Sequence, residues 1–417
     1  MRPFLRRALP LSAAVALTAG APLPYASAEP VAEGVPVRLD GGGECTFPMR
    51  RQIPGIPWTL QRVLLDELWQ DTRGEGVRVA VIDTGVDTRN PQLRTAVDRK
   101  AGADFLPRDE DGPGRGDGKG GAAGTVDEIG HGTKVAGIIA ARPRAGTGFV
   151  GLAPAATIIP IRQNDEKNSG NDRTMAQAID HAIAEKADVI NISQDTAKPL
   201  APTSRLALAV RRALAEDIVV VASAGNDGMD GEAKNTYPAA FPGVLAVASS
   251  DRNNERAAFS QPGPFVGVAA PGVDIVSTVP GGGQCVDNGT SFSAPYAAGV
   301  AALLKAKYPK WTAAEIGARI MQTAERTVNG RDDYVGWGVV DPVRALDGRA
   351  EPVAAPRADP GPPRPPAPEP APLTLTETAQ ERSERYATYA VGATVVVIAV
   401  IAGTATVLRD TRRRRTR

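Results

Sequence analysis

Histidine is nearly absent from this chain: His131 and His181 are its only two. Chemistry that needs an imidazole titrating near neutral pH therefore falls to one of two residues. Cysteine is equally sparse, with Cys45 and Cys285 alone. Two thiols without further cysteine or a neighbouring histidine do not make a zinc site, so no metal is expected. In an exported chain an even pair suggests a disulfide, and Cys45–Cys285 is the one intrachain pairing available. It would close a loop of about 240 residues and contribute several kcal/mol. Net charge is missing too, since the whole chain totals +1. The last nine residues hold six Arg and one Asp and the first 28 hold three Arg, so the region between them is acidic, at −7. No basic stripe remains there to neutralise phosphates, which argues against nucleic acid as a partner.

Of the two histidines, one sits where chemistry can use it. Val77-Arg78-Val79-Ala80-Val81-Ile82 reads as a buried strand that ends at Asp83. His131 lies in Gly130-His131-Gly132-Thr133-Lys134-Val135-Ala136-Gly137, between a glycine-rich loop and a run of small apolar residues. Gly289-Thr290-Ser291-Phe292-Ser293-Ala294-Pro295 opens an Ala-rich helix. Alone, an aspartate after a strand is a turn residue and a Gly-Thr-Ser is a helix cap. Together the segments supply an acid, a base and a hydroxyl, each at the end of an element. Those are the parts of nucleophilic acyl transfer. His181, inside Ala178-Ile179-Asp180-His181-Ala182, has no nucleophile pattern near it and is read as structural.

The remaining segments alternate in type. Strands are expected at 77–82, 158–161, 189–192, 218–222 and 244–248, and helices at 131–141, 172–186, 202–216 and 291–308. That rhythm predicts an α/β fold, a mostly parallel sheet covered on both faces. Asp83 and Asn226 follow apolar strand runs, as a site at the carboxyl edge of such a sheet requires. Residues 58–70, with Val63, Leu64, Leu68 and Trp69, predict a short amphipathic helix leading into the first strand. Gly116-Asp117-Gly118-Lys119-Gly120-Gly121 satisfies the dinucleotide pattern G-x-G-x-x-G. No strand precedes it and no helix opens from it, so the phosphate-binding mechanism is missing and no cofactor is expected. Residues 107–127 read as a surface insertion near the site, with Asp109, Glu110, Asp111 and Asp117 as solvated acids in preference to calcium ligands.

Val81-Ile82-Asp83-Thr84-Gly85-Val86-Asp87, Gly130-His131-Gly132-Thr133 and Gly289–Pro295 resemble the three signature blocks of the subtilisin family. They also stand in that family's chain order of Asp, His and Ser. Asn90-Pro91-Gln92-Leu93 is similar to its His-Pro-x-Leu, with Asn replacing His. Ala222-Ser223-Ala224-Gly225-Asn226 resembles the block with the oxyanion asparagine, and Tyr237–Pro242 and Gly336–Asp341 resemble later landmarks. The resemblance implies a three-layer subtilisin-like fold and a triad of Asp83, His131 and Ser291. It implies an oxyanion hole from Asn226 and the Ser291 N–H, and a peptide-binding rim of Ser193, Gln194, Asp195, Ser223, Ala224 and Gly225. Where many subtilisins continue Ser-Leu-Gly-Gly, this chain has Ser193-Gln194-Asp195-Thr196. Glycine's close backbone approach is lost there, which bears on specificity.

The two ends narrow the family further. Residues 1–28 carry Arg2, Arg6 and Arg7, an apolar stretch and Ala26-Ser27-Ala28, the layout of a secretory signal peptide. Residues 29–57 are too short and too rich in Gly and Pro to fold as an inhibitory prodomain. A catalytic domain is expected over 58–348 and a linker over 349–386. In 351–373 nearly every second residue is proline, giving a polyproline spacer reaching roughly 70 Å at ~3.1 Å per residue. Residues 387–408 carry no charge and are long enough to cross a bilayer, and the Arg-rich 409–417 places the tail in the cytoplasm. This layout resembles the mycosins, membrane-anchored serine proteases of actinobacterial type VII secretion systems. The resemblance implies a peptide substrate and a type VII membrane complex as partners. It fits both an endopeptidase held outside the cell by one helix and a structural cap of the secretion complex with little required proteolysis.

Overall fold

The computed structural model describes residues 35, 37, 52–106, 124–326, 328–348, 351–361 and 376–416. The chain divides into two compact units, Met1–Pro360 and Gly361–Arg417. The first unit is built on a seven-stranded sheet. In chain order its elements are α1 (Trp58–Gln61), α2 (Leu65–Leu68), β1 (Arg78–Asp83), β2 (Ala103–Asp104), α3 (His131–Ala140), β3 (Thr157–Arg162), α4 (Asp172–Ala184), β4 (Val189–Ile192), α5 (Arg205–Ala215), β5 (Val219–Ser223), β6 (Leu245–Ser250) and β7 (Val268–Pro271). A hairpin of β8 (Ile275–Thr278) and β9 (Gln284–Asp287) follows, then α6 (Thr290–Lys307), α7 (Ala313–Thr323) and α8 (Pro342–Leu346).

The sheet order is β2-β3-β1-β4-β5-β6-β7, and every pairing in it is parallel. Parallel strands need both faces covered, and β1 shows how the sequence arranges that. Val79 and Val81 pack into one core with α3 and α6, whereas Ala80 and Ile82 pack into the other with α4 and α5. The two-residue period of the strand thus assigns alternate side chains to opposite helical layers. Helix α6 is buried from Thr290 to Leu304, as a helix apolar on all sides must be.

Register places the carboxyl ends of the central strands side by side. Asp83 aligns with Arg162, Ile82 with Ile192, and Ile192 with Ala222. The residues that leave β1, β4 and β5 therefore emerge together along one edge.

The expected helices and strands are present within a few residues, with one break. Instead of a single helix over 58–70, α1 and α2 are separated by Arg62-Val63-Leu64. Val63 is buried there while Leu64 is 56% exposed, so the chain turns to plant one side chain in the core and spends no helical turn doing it. The glycine-rich 116–121 of the expected surface insertion, and Asp109, Glu110, Asp111 and Asp117, lie outside the described residues. At the far end of that insertion Thr125 and Asp127 are buried while Val126 between them is exposed. Of the proline-rich segment, Arg357 and Asp359 bond to Gln322 and Asn329, and Arg326 meets Asp359 at 3.2 Å. That stretch lies along the first unit.

The second unit contains α9 (Ala379–Arg415), opened by a capping box between Thr378 and Glu381. It is the one helix among the described residues long and apolar enough to cross a membrane. Its threonines do not leave polar hydrogens unpaired: Thr394 and Thr404 donate to the carbonyls of Ala390 and Val400, each at 2.7 Å. Internal pairing of that kind is what a bilayer interior demands.

Candidate active site

Asp83 is the last residue of β1 and is fully buried. One carboxylate oxygen, Oδ1, accepts from the backbone N–H of Thr84 at 2.8 Å and faces His131 Nδ1 at 2.7 Å. His131 opens α3, and the helix can come this near because the next residue is glycine. A Cβ on Gly132 would stand 2.1 Å from the Gly85 carbonyl oxygen and 3.0 Å from Asp83 Cβ. The His-Gly pair is therefore a packing requirement of the Asp–His contact.

A second buried carboxylate organises the same turn. Asp127 Oδ1 accepts from Thr84 Oγ1 at 2.8 Å and from Gly130 N at 2.7 Å, and Oδ2 accepts from Thr133 N at 2.8 Å and from the Thr133 hydroxyl. It serves the orphan N–H groups at the start of α3, where a negative charge is favourable. Thr84 Oγ1 also accepts from Gly132 N at 2.9 Å, so Thr84 joins the end of β1 to the start of the histidine helix. Burial pushes the Asp127 carboxyl above its ordinary range, although the four donors favour its charged form. Sequence reading passed over Asp127 as the end of a loop. The signal was its position, an acid four residues ahead of a helix-opening histidine.

Ser291 is the second residue of α6 and is 1% exposed. Its Oγ donates to the Ser193 carbonyl at 3.2 Å, and Ser193 Oγ donates to the Ser291 carbonyl at 2.9 Å. The second bond has a reason in the sequence. Pro295 lies four residues on inside the helix and has no N–H to offer the Ser291 carbonyl. Ser193 supplies the missing donor.

On the far side of the imidazole, His131 Nε2 has no hydrogen-bond partner among the described residues, and neither does Asp83 Oδ2. Burial depresses the imidazole's proton affinity, but the charge and hydrogen bond of Asp83 outweigh it, and the His131 pKa is raised above 6.5.

Asn226 follows β5. Its Oδ1 accepts from Thr290 N at 2.9 Å and Thr290 Oγ1 at 3.0 Å. Those two bonds fix the Asn226 amide beside the start of α6. Ser223 ends β5, and Ala224 and Gly225 follow it. Gly225 N donates to Thr290 Oγ1 at 3.2 Å. Gly225 has φ of +101°, and a Cβ there would lie 3.2 Å from Asp195 Oδ2. Gln194 donates to the Ile82 carbonyl at 3.4 Å, and Thr196 pairs with Tyr237 in an antiparallel bridge. The residues expected to bind peptide are thus drawn together at the carboxyl edge of the sheet, beside Ser291.

His181 is placed elsewhere, on α4, with Nε2 2.9 Å from the Ala101 carbonyl and its ring edge-on to Phe105. Cys285 lies on β9, and Cys45 lies outside the described residues.

Fold and site together define a serine endopeptidase of the subtilisin type. The chain belongs to the subtilase family, whose sequence model matches residues 74–338. It is 37% identical to subtilisin E of Bacillus subtilis over 69% of this chain and 70% of that one. It is 40% identical to the thermostable alkaline protease of Halalkalibacterium halodurans over 70% and 73%. Among solved structures it is similar to mycosins. MycP1 with its N-terminal propeptide removed matches at 34% identity and a TM-score of 0.62, over 72% of this chain and 99% of that one. MycP3 from the type VII (ESX-3) secretion system matches at 32% and 0.61, over 72% and 91%. MycP1 from Mycobacterium smegmatis matches at 30% and 0.63, over 87% and 100%.

Proposed function

We propose that this protein is a membrane-anchored endopeptidase that acts outside the cytoplasm as part of a type VII secretion machine. The observation that carries the chemistry is the buried 2.7 Å contact between Asp83 and His131, set beside a serine that opens a helix. Ser291 Oγ attacks the peptide carbonyl, and His131 Nε2 takes its proton. The leaving amine then receives that proton as the acyl–enzyme forms, and water repeats the sequence to release the acid. Asp83 holds the Nδ1–H tautomer and stabilises the imidazolium. The Asn226 amide and the Ser291 N–H face the developing oxyanion. Ser193 to Asp195 and Ser223 to Gly225 take the peptide as an added strand.

The secretion role rests on the mycosin likeness, and the anchor on α9. By the positive-inside rule the arginines at 412–415 stay in the cytoplasm and the catalytic unit lies outside. In that oxidising space Cys45 and Cys285 pair, tying the N-terminal extension near the strand that precedes Ser291.

A second reading is that the protein caps or clamps the secretion complex with little turnover. It is favoured by the likeness to a MycP1 protease described as an essential component of the type VII (ESX-1) secretion system, at 31% identity and a TM-score of 0.63.

Labelling with a serine-directed fluorophosphonate tests the chemistry. Wild-type protein is expected to label and Ser291→Ala to stay unlabelled with an unchanged thermal midpoint. A wild-type protein that resists the reagent over the whole pH range would overturn the protease reading for the free protein.

A further inference from the structure

Beside Asp83, His131 and Asp127 the site buries a lysine and a further aspartate, Lys134 and Asp287. Lys134 follows His131 by three residues on α3, so both side chains leave the same helix face. Its Nζ meets Asp287 Oδ2 at 2.6 Å, with the two side chains only 6% and 3% exposed. Asp287 closes β9 four residues before Ser291, and its Oδ1 accepts from Asn288 N at 2.8 Å. The pair therefore runs from the helix that carries the base to the strand that feeds the nucleophile. Phe292, the neighbour of Ser291, lies near two side chains of α3, His131 and Lys134. Its ring lies 5.4 Å from the His131 imidazole, and Lys134 Nζ stands 5.8 Å from the same ring centre. Hairpin strand β8 adds two ties to this turn: Thr278 Oγ1 donates to the Thr133 carbonyl at 2.8 Å and Ser277 Oγ to the Lys134 carbonyl at 2.6 Å.

A buried ion pair gains little net stability over apolar side chains of the same size, because both charges lose their water. Its use here is local. Two carboxylates favour the imidazolium form of His131, Asp83 from β1 and Asp127 from the turn ahead of α3. Lys134 is the cation that opposes them.

We propose that the Lys134–Asp287 pair is a positioning device for acyl transfer, which seats the histidine helix against the entry to Ser291 and holds His131 available as a base. Lys134 repels a proton on the imidazole, and Asp287 holds Lys134 in place and balances its charge. This rests on the triad reading given above. The two residues act through His131 and Phe292 and do not touch the peptide.

The test uses the full-length protein in detergent micelles and the rate of fluorophosphonate labelling as a function of pH. Wild-type labelling that depends on Ser291 comes first, and its absence sinks the triad itself and not the pair. Lys134→Met removes the repulsion, so the midpoint of the rate profile should rise by about one pH unit. Asp287→Asn leaves the lysine charge unbalanced, so the midpoint should fall by a similar amount. Shifts of opposite sign are not what packing damage gives. The charge-free double variant Lys134→Met with Asp287→Leu keeps no buried ion, and its plateau rate should drop about tenfold as the seating loosens. The proposal is overturned if both single variants keep the wild-type midpoint, whatever their rates. If neither single variant folds, the double variant decides, and a wild-type plateau rate there overturns the proposal.

Discussion

Ser291 and Ser193 exchange two hydrogen bonds, and the proposed nucleophile is held by both its carbonyl and its hydroxyl. To act, the hydroxyl must turn from the Ser193 carbonyl toward His131 Nε2, a bond of the kind that tightens when substrate binds. The pH dependence follows from the imidazole. Burial lowers its proton affinity, Asp83 raises it by more, and the folded value lies above 6.5. The base form is the neutral one, so the labelling rate should be full above that raised value and fall as pH drops through it. The stability linkage has the opposite sense: protonated His131 stabilises the fold at low pH, and that contribution is lost as pH rises through the same value. A labelling rate that does not fall as the pH drops through the imidazole range would contradict His131 as the base. Replacing Asn226 by Ala should lower turnover ~10²–10³-fold, the range measured on removing one such donor from a subtilisin, with KM little changed. An equal loss in binding would mean that Asn226 holds substrate instead of the oxyanion.

Helices α3 and α6 are set by their first turns. The α3 start is pinned by Asp127 and Thr84, and the α6 start by Asn226 and the Ser193–Pro295 arrangement. Ser193→Ala removes the donor and leaves a buried carbonyl unpaired, at a cost of about 1–3 kcal/mol. A drop in urea midpoint with an unchanged m-value would register it, and an unchanged midpoint would show that the carbonyl finds another partner. Helix α9 obeys different physics, since its apolar side chains between Val391 and Leu408 are largely exposed. Val397→Lys together with Ile401→Lys should cost about 5–7 kcal/mol at the centre of a bilayer. The variant should therefore appear in the soluble fraction after cell disruption, whereas retention in membranes would deny α9 the anchoring role.

Across the whole molecule, sheet register and the packing of α6 bring together residues about a hundred positions apart, from Asp83 to Ser193 to Ser291. Protease added to intact, wall-stripped cells should remove the catalytic unit and spare the Arg-rich tail. Mass spectrometry of non-reduced peptides should join Cys45 to Cys285, and free thiols at both would remove the tether. In a strain carrying Ser291→Ala, secretion should fall as far as in a complete deletion if proteolysis is the required activity. Secretion that survives the point change but not the deletion would make the protein a clamp.

The sequence alone determined the parts that are local. The triad candidates sit in short motifs, the β1 run alternates between two cores, and the uncharged stretch of α9 is set by composition. Those signals are written within a few neighbouring residues. The exposed edges of elements were less legible: α7 carries a Thr312–Glu315 capping box that the strand-helix rhythm passed over, and β8 and β9 are too short to show a period. What only the tertiary structure decided is long-range pairing. Asp127 looked like the end of a surface loop, yet four donors from two elements bury it. Lys134 and Asp287 read separately as ordinary charges and become one buried pair across 153 positions. No local pattern encodes such a partner, because the meeting is set by how α3 and the β8–β9 hairpin pack and not by the residues on either side.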